Sequence, residues 1–277
     1  MQALPNSAEI QLADALRKQG QPGFEASLWQ LLRRIAAPDN LAVLAYRDAS
    51  APQVLYLQSD HPRVFATLNA IYLAGAYLLD PFYDMHIQQV PAGAYRMRDV
   101  APDAFARSRY FIEYYEQTTL IDEITFVAYP APQVTINLCI GRDASSGQVF
   151  SPRDVEAALR AAPIICALAE RHWSPLTAPL TANPAAADDL ATALARALKA
   201  AQGIALSRRQ AQVAVLILRG HSTPSIALRL GVAPQTVKVF RKQLYARCHI
   251  SSQAELFALM LPLLHRRRGD TAMLGLS

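Results

Sequence analysis

Three short helices separated by sharp turns are predicted between residues 207 and 248. The first runs from Ser207 to Leu218 and ends at Gly220, and the second covers Pro224–Leu230. Gly231 opens a three-residue turn, because the chain needs a left-handed backbone conformation there, and Pro234 begins the third helix. Two helices joined by a short, glycine-led turn are typical of a helix-turn-helix unit. This pattern constrains the fold of the C-terminal quarter more than any other feature of the chain.

The charge of the chain is divided unevenly about residue 203. Residues 204–277 contain eleven lysines and arginines against two acidic residues, whereas residues 1–203 contain sixteen against twenty. A mildly acidic body joined to a strongly basic module indicates that the C-terminal part contacts a polyanion.

The third helix carries much of this positive charge on one face. Helical periodicity places Val237, Leu244 and Phe240 inward and Lys238, Arg241, Lys242 and Tyr245 outward. A basic helix of this length can enter the major groove of DNA, where side chains reach base edges and flanking phosphates.

The stretch LSRRQAQVAVLILRGHSTPSIALRLGVAPQTVKVFRKQLYARCHISSQAEL, residues 206–256, resembles the DNA-binding domain of the LuxR/NarL/FixJ family. The resemblance rests on LSxRQ, on a glycine followed by IAxxLGV, and on TVKV followed by an Arg-Lys pair. It implies that the protein binds double-stranded promoter DNA as a homodimer. It also implies roles for individual residues: base reading by Lys238, Val239 and Lys242, and backbone contacts by Thr236 and Arg241. Phe240 and Ser252 depart from the His and Arg that are usual in the family.

A proline-rich stretch, residues 174–189, reads as a linker, and a short helix with leucines at 190, 194 and 198 follows it. This helix either lies on one of the domains or forms part of a dimer seam. The predicted organisation has four parts, namely an effector-sensing domain (1–173), a linker with a short helix (174–203), a helix-turn-helix domain (204–265) and a basic, flexible tail (266–277).

The first 173 residues alternate helical and strand patterns. Helices are predicted over 6–18, 22–36, 62–77, 105–117 and 151–172, and strands over 41–47, 53–59, 123–129 and 133–141, with an irregular segment at 80–104. This order predicts an α+β sensor domain of the PAS/GAF kind, an antiparallel sheet with flanking helices.

Several function classes lack their chemistry in this sequence. A phosphoacceptor receiver needs a lysine at a strand end, but residues 1–203 contain only Lys18 and Lys199, both in predicted helices. No phosphate-binding P-loop, GxSxG, HExxH or GxGxxG motif occurs, so we expect neither an enzyme nor a bound cofactor. Cys139, Cys166 and Cys248 lie too far apart for a zinc site and indicate a reducing compartment, the cytoplasm. No stretch approaches the ~18 apolar residues of a membrane span.

The segment 67–95 resembles the ligand-binding domain of quorum-sensing LuxR receptors, because it has Asp80-Pro81 preceded by tyrosines. The tryptophans that frame an acyl-homoserine lactone in that family are missing. The aromatic residues and carboxylates of this region instead suggest a box for an ammonium ligand, bound through cation–π contacts. The candidate effector-binding residues are Tyr72, Tyr77, Asp80, Tyr95 and Asp122. Three alternatives stay open at this stage: a cationic amine, an acyl-homoserine lactone, or no small effector and control by a protein partner.

Overall fold

The computed structural model describes residues 6–47, 51–177 and 190–272, with eleven α-helices and five strands among them. The helices are α1 (Asn6–Arg17), α2 (Phe24–Ala36), α3 (Pro81–Gln88), α4 (Met97–Val100), α5 (Arg109–Glu113), α6 (Pro152–His172), α7 (Leu190–Gln202), α8 (Arg208–Leu218), α9 (Thr223–Leu230), α10 (Pro234–Cys248) and α11 (Gln253–Ala272). The strands are β1 (Asn40–Arg47), β2 (Gln53–Ser59), β3 (Gly93–Arg96), β4 (Leu120–Ala131) and β5 (Val134–Asp143).

The chain forms two compact units that do not follow chain order. Unit 1 contains Met1–Ala66, Met85–Val100 and Thr119–Ala182, and unit 2 contains Thr67–Asp84, Ala101–Thr118 and Asn183–Ser277. Two segments of the predicted sensor domain therefore belong to the same compact unit as the C-terminal helices. A division between sensor and DNA-binding parts at residues 174–203 stays a prediction about function, because compactness groups the chain differently.

Unit 1 is built on a five-stranded antiparallel sheet with strand order β2-β1-β5-β4-β3. Alternate residues of each strand point to the same face, so one face can be apolar throughout. That face packs against α2 and α6. Its buried side chains include Leu41, Val43, Ala45, Ile124, Phe126, Ala128, Ile136, Leu138 and Ile140. The predicted α+β architecture is confirmed, with β3 as an edge strand that the sequence analysis did not find.

Two caps and a proline explain where α6 begins. Ser151 accepts a hydrogen bond from the Asp154 amide, and the Asp154 carboxylate accepts one from the Ser151 amide. Pro152 occupies the first turn, where a missing amide hydrogen costs nothing.

The sequence analysis was wrong about three segments of the sensor region. The predicted helix 62–77 is instead three short turns, Pro62–Phe65, Leu68–Tyr72 and Ala76–Leu79. The predicted helix 105–117 is interrupted at Ser108, whose hydroxyl caps α5 by accepting from the Phe111 amide at 3.1 Å. The segment 80–104, predicted to be irregular, contains α3, β3 and α4. Local helix propensity does not decide the backbone of these segments, and at Ser108 a local cap interrupts the predicted helix.

The C-terminal end of the chain also differs from the prediction. Helix α11 continues to Ala272, into the segment predicted to be a flexible tail, because arginines are good helix formers and Arg266–Arg268 continue the helical run. Residues 273–277, and most of the predicted linker (178–189), lie outside the described residues. None of the helices described is long and apolar enough to cross a membrane.

Candidate DNA-binding surface and effector site

Local capping fixes the three helices that form the helix-turn-helix unit. Ser207 and Gln210 form a reciprocal capping box at the start of α8, and the Ser222 hydroxyl accepts from the Ser225 amide at the start of α9. Gly231 ends α9 in the left-handed region, with φ 64° and ψ 40°. Pro234 then occupies the first turn of α10. The predicted helices therefore form at the predicted places, because their start and stop signals are local.

Helix α10 separates into a buried and an exposed face. Val237 and Leu244 are buried in the core of unit 2, whereas Phe240, predicted to face inward, is only half-buried. Lys238, Val239, Arg241 and Lys242 are exposed, and Thr236 is partly buried. The helix contains four basic residues and no acidic residue. The five side chains predicted to contact DNA therefore share one helix with an unopposed positive charge.

Arg241 is the one member of this set with an ordered aromatic neighbour. Its guanidinium lies over the ring of Tyr245, 5.6 Å from the ring centroid. Such a cation–π contact restricts the side chain without neutralising it. Arg241 therefore keeps its charge for a phosphate while its freedom of movement is reduced.

Helix α7 packs against α8 and α11 of the same unit. Leu194 and Leu198 are 2% and 0% exposed, Ala191 one turn before Leu194 is also buried, and Leu190 is partly buried. The sequence allowed α7 to lie on one of the domains or to form a dimer seam. The structure shows α7 lying on the C-terminal helices. The described leucine face is occupied within one chain.

Asp80 lies at the start of α3 and has three hydrogen-bond donors. Its Oδ1 accepts from the Phe82 amide at 2.8 Å, which caps the helix, and its Oδ2 accepts from the Tyr72 hydroxyl at 2.7 Å. Tyr110 donates a further hydrogen bond. Burial raises the pKa of Asp80 to about 6, although these three donors lower it. The carboxylate therefore has polar partners in unit 2 and no cationic partner among the contacts described there.

The two tyrosines that donate to this carboxylate, Tyr72 and Tyr110, belong to a cluster of packed tyrosines. The Tyr72 ring stacks on Tyr114, with centroids 5.4 Å apart, and meets Tyr77 at 6.3 Å with a steep interplanar angle. Tyr110 lies 5.5 Å from Tyr114, and Tyr77 lies 5.0 Å from Tyr83. All of these rings are buried. Three of the five predicted effector residues (Tyr72, Tyr77 and Asp80) are thus brought together.

Tyr95 and Asp122, the other two, belong to unit 1 and have partners there. Asp122 forms a salt bridge with Arg96 and accepts from the Phe150 amide at 3.0 Å, and the Tyr95 hydroxyl donates to the Pro91 carbonyl at 2.7 Å. The hydrogen bond to Asp122 raises the pKa of Arg96 against the effect of burial. Because Asp122 already has a cation, it is poorly suited to hold a second one, and its role at an effector site stays a prediction. The sequence analysis missed Arg96, which follows Tyr95 directly.

The second face of the sheet in unit 1 contains several buried polar side chains. His86 Nδ1 lies 2.6 Å from the hydroxyl of Thr135, and the His86 ring stacks on Tyr46. Asn137, on the same face of β5 as Thr135, is fully buried, and neither polar atom of its side chain has a hydrogen-bond partner. A buried amide without a hydrogen-bond partner costs roughly 1–3 kcal/mol.

Comparisons with known proteins agree with this arrangement. Residues 205–260 match the family described as bacterial regulatory proteins, luxR family. An HTH-type transcriptional regulator in the exeN 3′ region of Aeromonas salmonicida is 33% identical over 186 residues, which cover 66% of this chain and 93% of that protein. The chain belongs to the luxR family. It is therefore a transcriptional regulator with a DNA-binding helix-turn-helix domain.

Solved structures extend the likeness of this luxR-family regulator to its N-terminal region, at the level of fold. The VqsR LBD domain of Pseudomonas aeruginosa is 23% identical with a TM-score of 0.51, and the match covers 61% of this chain and 99% of that domain. SdiA of Escherichia coli matches 95% of this chain at 12% identity, with a TM-score of 0.41. The first match shows that the N-terminal region has the fold of the VqsR LBD domain.

Proposed function

We propose that this luxR-family regulator binds promoter DNA as a homodimer through Thr236, Lys238, Val239, Arg241 and Lys242, under the control of a small effector held at Asp80. The observation that carries the DNA-binding part is the exposed, basic face of α10, which has no acidic residue in the same helix. Lysines and arginines at such positions reach base edges and phosphates in the major groove.

The effector part rests on the environment of Asp80. A buried carboxylate whose pKa is about 6 carries a large desolvation cost, which a cation at that place would offset. Tyr72, which donates to this carboxylate, packs against Tyr77 and Tyr114, and tyrosine rings attract ammonium groups. A cationic amine is therefore the ligand class that this site fits best. The amine would replace one hydroxyl donor of Asp80 and keep the Phe82 amide as the cap of α3.

Charge reversal at Lys242 tests the DNA-binding surface. Lys242→Glu places a carboxylate against the phosphates and base edges, so we expect affinity for a duplex selected from a random library to fall about 100-fold. Lys199→Glu makes the same charge change on an exposed position of α7 and should leave the affinity close to wild type. Gel-shift titration of the full-length proteins measures both. Equal affinities of wild type and Lys242→Glu for the duplex would show that Lys242 does not contact DNA.

Thermal unfolding of the full-length protein tests the effector. The panel contains primary amines, amino-acid derivatives and acyl-homoserine lactones. A ligand present at ~100 times its Kd adds about 2.7 kcal/mol to the free energy of unfolding, which raises Tm by a few degrees. We expect amines to raise Tm in the wild type and not in Asp80→Asn. A shift caused only by acyl-homoserine lactones would reject the amine, and the absence of any shift would favour control by a protein partner.

A further inference from the structure

Two carboxylates from the sensor region contact the turn between α8 and α9 within unit 2. Asp84, in α3, forms a salt bridge with Arg219, with Oδ1 and Nη1 2.5 Å apart. The two side chains are only 21% and 17% exposed, so this ion pair is partly shielded from water. An ion pair in such a place is stronger than one on an open surface. Arg219 is one of the eleven basic residues of the C-terminal part, and here its charge is neutralised by the chain itself.

Asp103 makes the second contact, at the N-terminal end of α9. Its Oδ1 accepts a hydrogen bond from the amide of Ser222 at 3.0 Å, and the Ser222 side chain also bonds to it. Burial raises the pKa of Asp103, but these bonds outweigh it and hold the pKa below its usual value. Asp103 is therefore a charged carboxylate placed where the partial positive charge of a helix N-terminus attracts anions.

The backbone at this contact is closely packed. The Ala104 amide donates to the Gly220 carbonyl at 3.0 Å. Gly220 has φ +92°, and a Cβ built on it would lie 2.8 Å from the Cα of Phe105. Only glycine fits both this conformation and this distance. Segment 101–108 is thus seated directly on the α8–α9 turn.

A helix-turn-helix protein uses the same region for DNA. Its first helix crosses the sugar-phosphate backbone while the recognition helix enters the groove, and helix N-termini bind phosphate oxygens. We infer that Asp103 and Asp84 act as internal competitors of DNA phosphates: Asp103 occupies the N-terminus of α9 and Asp84 neutralises Arg219, so the regulator binds DNA more weakly while these contacts hold. Lys238 and Lys242 stay exposed in this state, so the competition concerns phosphate contacts and leaves the base-reading face uncovered.

The same contact connects the proposed effector site with the DNA-binding helices. Asp84 lies one helical turn after Asp80, and its amide donates to the Asp80 carbonyl at 3.1 Å. A ligand that changes the cap of α3 at Asp80 therefore acts on the residue that holds Arg219. This step rests on the function proposed above, whereas the competition itself requires only that the protein binds DNA.

Isosteric removal of the two charges tests the competition. Asp84→Asn and Asp103→Asn keep the shape of the side chains and remove the charge, and Glu116→Gln makes the same change at an exposed position of unit 2. Fluorescence anisotropy measures the binding of each full-length protein to a labelled random-sequence duplex over a range of NaCl concentrations. We expect the double variant to bind about tenfold more tightly than wild type at low salt, with the difference shrinking as salt rises, and Glu116→Gln to match wild type.

The outcomes separate the two proposals. Equal or weaker binding by the double variant, with wild-type binding intact, overturns the competition and leaves the DNA-binding function standing. Failure of every protein to bind any duplex at low salt overturns both. Amide hydrogen exchange in wild type is a second readout: exchange in residues 101–108 should become faster when saturating duplex is added, and unchanged exchange contradicts the inference.

Discussion

Asp80 combines two roles that are usually found in different residues. Through the Phe82 amide it caps α3, a local role, and through Tyr72 and Tyr110 it is bonded to residues outside α3. The capping bond fixes the carboxylate in place, and the burial makes its charge costly. A residue that is both fixed and costly to ionise is suited to respond to a cation.

The raised pKa of Asp80 predicts a specific pH dependence of stability. A carboxyl group with a pKa of 3.8 in the unfolded chain and about 6 in the fold binds its proton more tightly when folded. Its contribution to the free energy of unfolding is therefore greatest below pH 4 and is lost as pH rises through about 6. The total is at most about 3 kcal/mol.

Asp80→Asn measures this contribution, because an amide does not titrate in this range. We expect wild type to lose stability relative to Asp80→Asn between pH 4 and pH 7, as followed by urea unfolding at several pH values. Glu116→Gln, the same carboxyl-to-amide change at an exposed position of the same unit, is the control variant. A constant difference between wild type and Asp80→Asn across this range would contradict the raised pKa.

At the scale of elements, α7 is informative because its sequence allowed two arrangements. Three leucines at four-residue spacing suit either a dimer seam or a packed helix. In the structure Leu194 and Leu198 are buried against α8 and α11. The helix that follows the predicted linker therefore extends the core of the DNA-binding part.

Truncation of Leu198 distinguishes these arrangements. Leu198→Ala leaves a cavity in a fully buried position, so we expect a loss of about 2–5 kcal/mol in the free energy of unfolding. Because the contact lies within one chain, the loss in Tm should be the same at every protein concentration. Thr192→Ala, at an exposed position of α7, is the control and should cost little. A Tm difference that varies with protein concentration would instead place Leu198 between two chains.

In the molecule as a whole, acidic residues from the first 203 positions contact the basic C-terminal part. The acidic surplus lies before residue 204 and the basic surplus after it. Two of the acidic residues, Asp84 and Asp103, belong to the compact unit that contains the DNA-binding helices. Opposite charges therefore meet inside one unit. DNA that approached Arg219 or Ser222 would compete with Asp84 and Asp103, which already contact these residues.

The proposed effector site and the helix-turn-helix domain belong to one compact unit. The segment that contains Asp80 and Tyr72 and the segment that contains Tyr110 both lie in unit 2, as do α7 to α11. Coupling between an effector and DNA then needs only a change in contacts within that unit. The linker sequence, which suggests two independent domains, gives no sign of this association.

Local sequence signals specify the helix-turn-helix unit and its exposed basic face. Its caps, turn glycine and helix-starting proline act within a few residues, so Ser222, Gly231 and Pro234 specify their elements wherever the rest of the chain lies. The antiparallel sheet of unit 1 was predictable for the same reason, because alternation along β4 and β5 is a local pattern. Asp80 was a candidate site residue because Asp80-Pro81 and the tyrosines before it resemble the ligand-binding segment of quorum-sensing LuxR receptors.

Only the tertiary structure decided the contacts that join distant segments. The pairing of Arg96 with Asp122, of Asp84 with Arg219 and of Asp103 with Ser222 bridges 26, 135 and 119 positions of sequence. The sequence shows that such charged residues are present, but it does not show which of them contact each other. The short turns that replace the helix predicted over 62–77 have the same origin, since packing of buried aromatic side chains outweighs helix propensity differences of less than about 1 kcal/mol per residue.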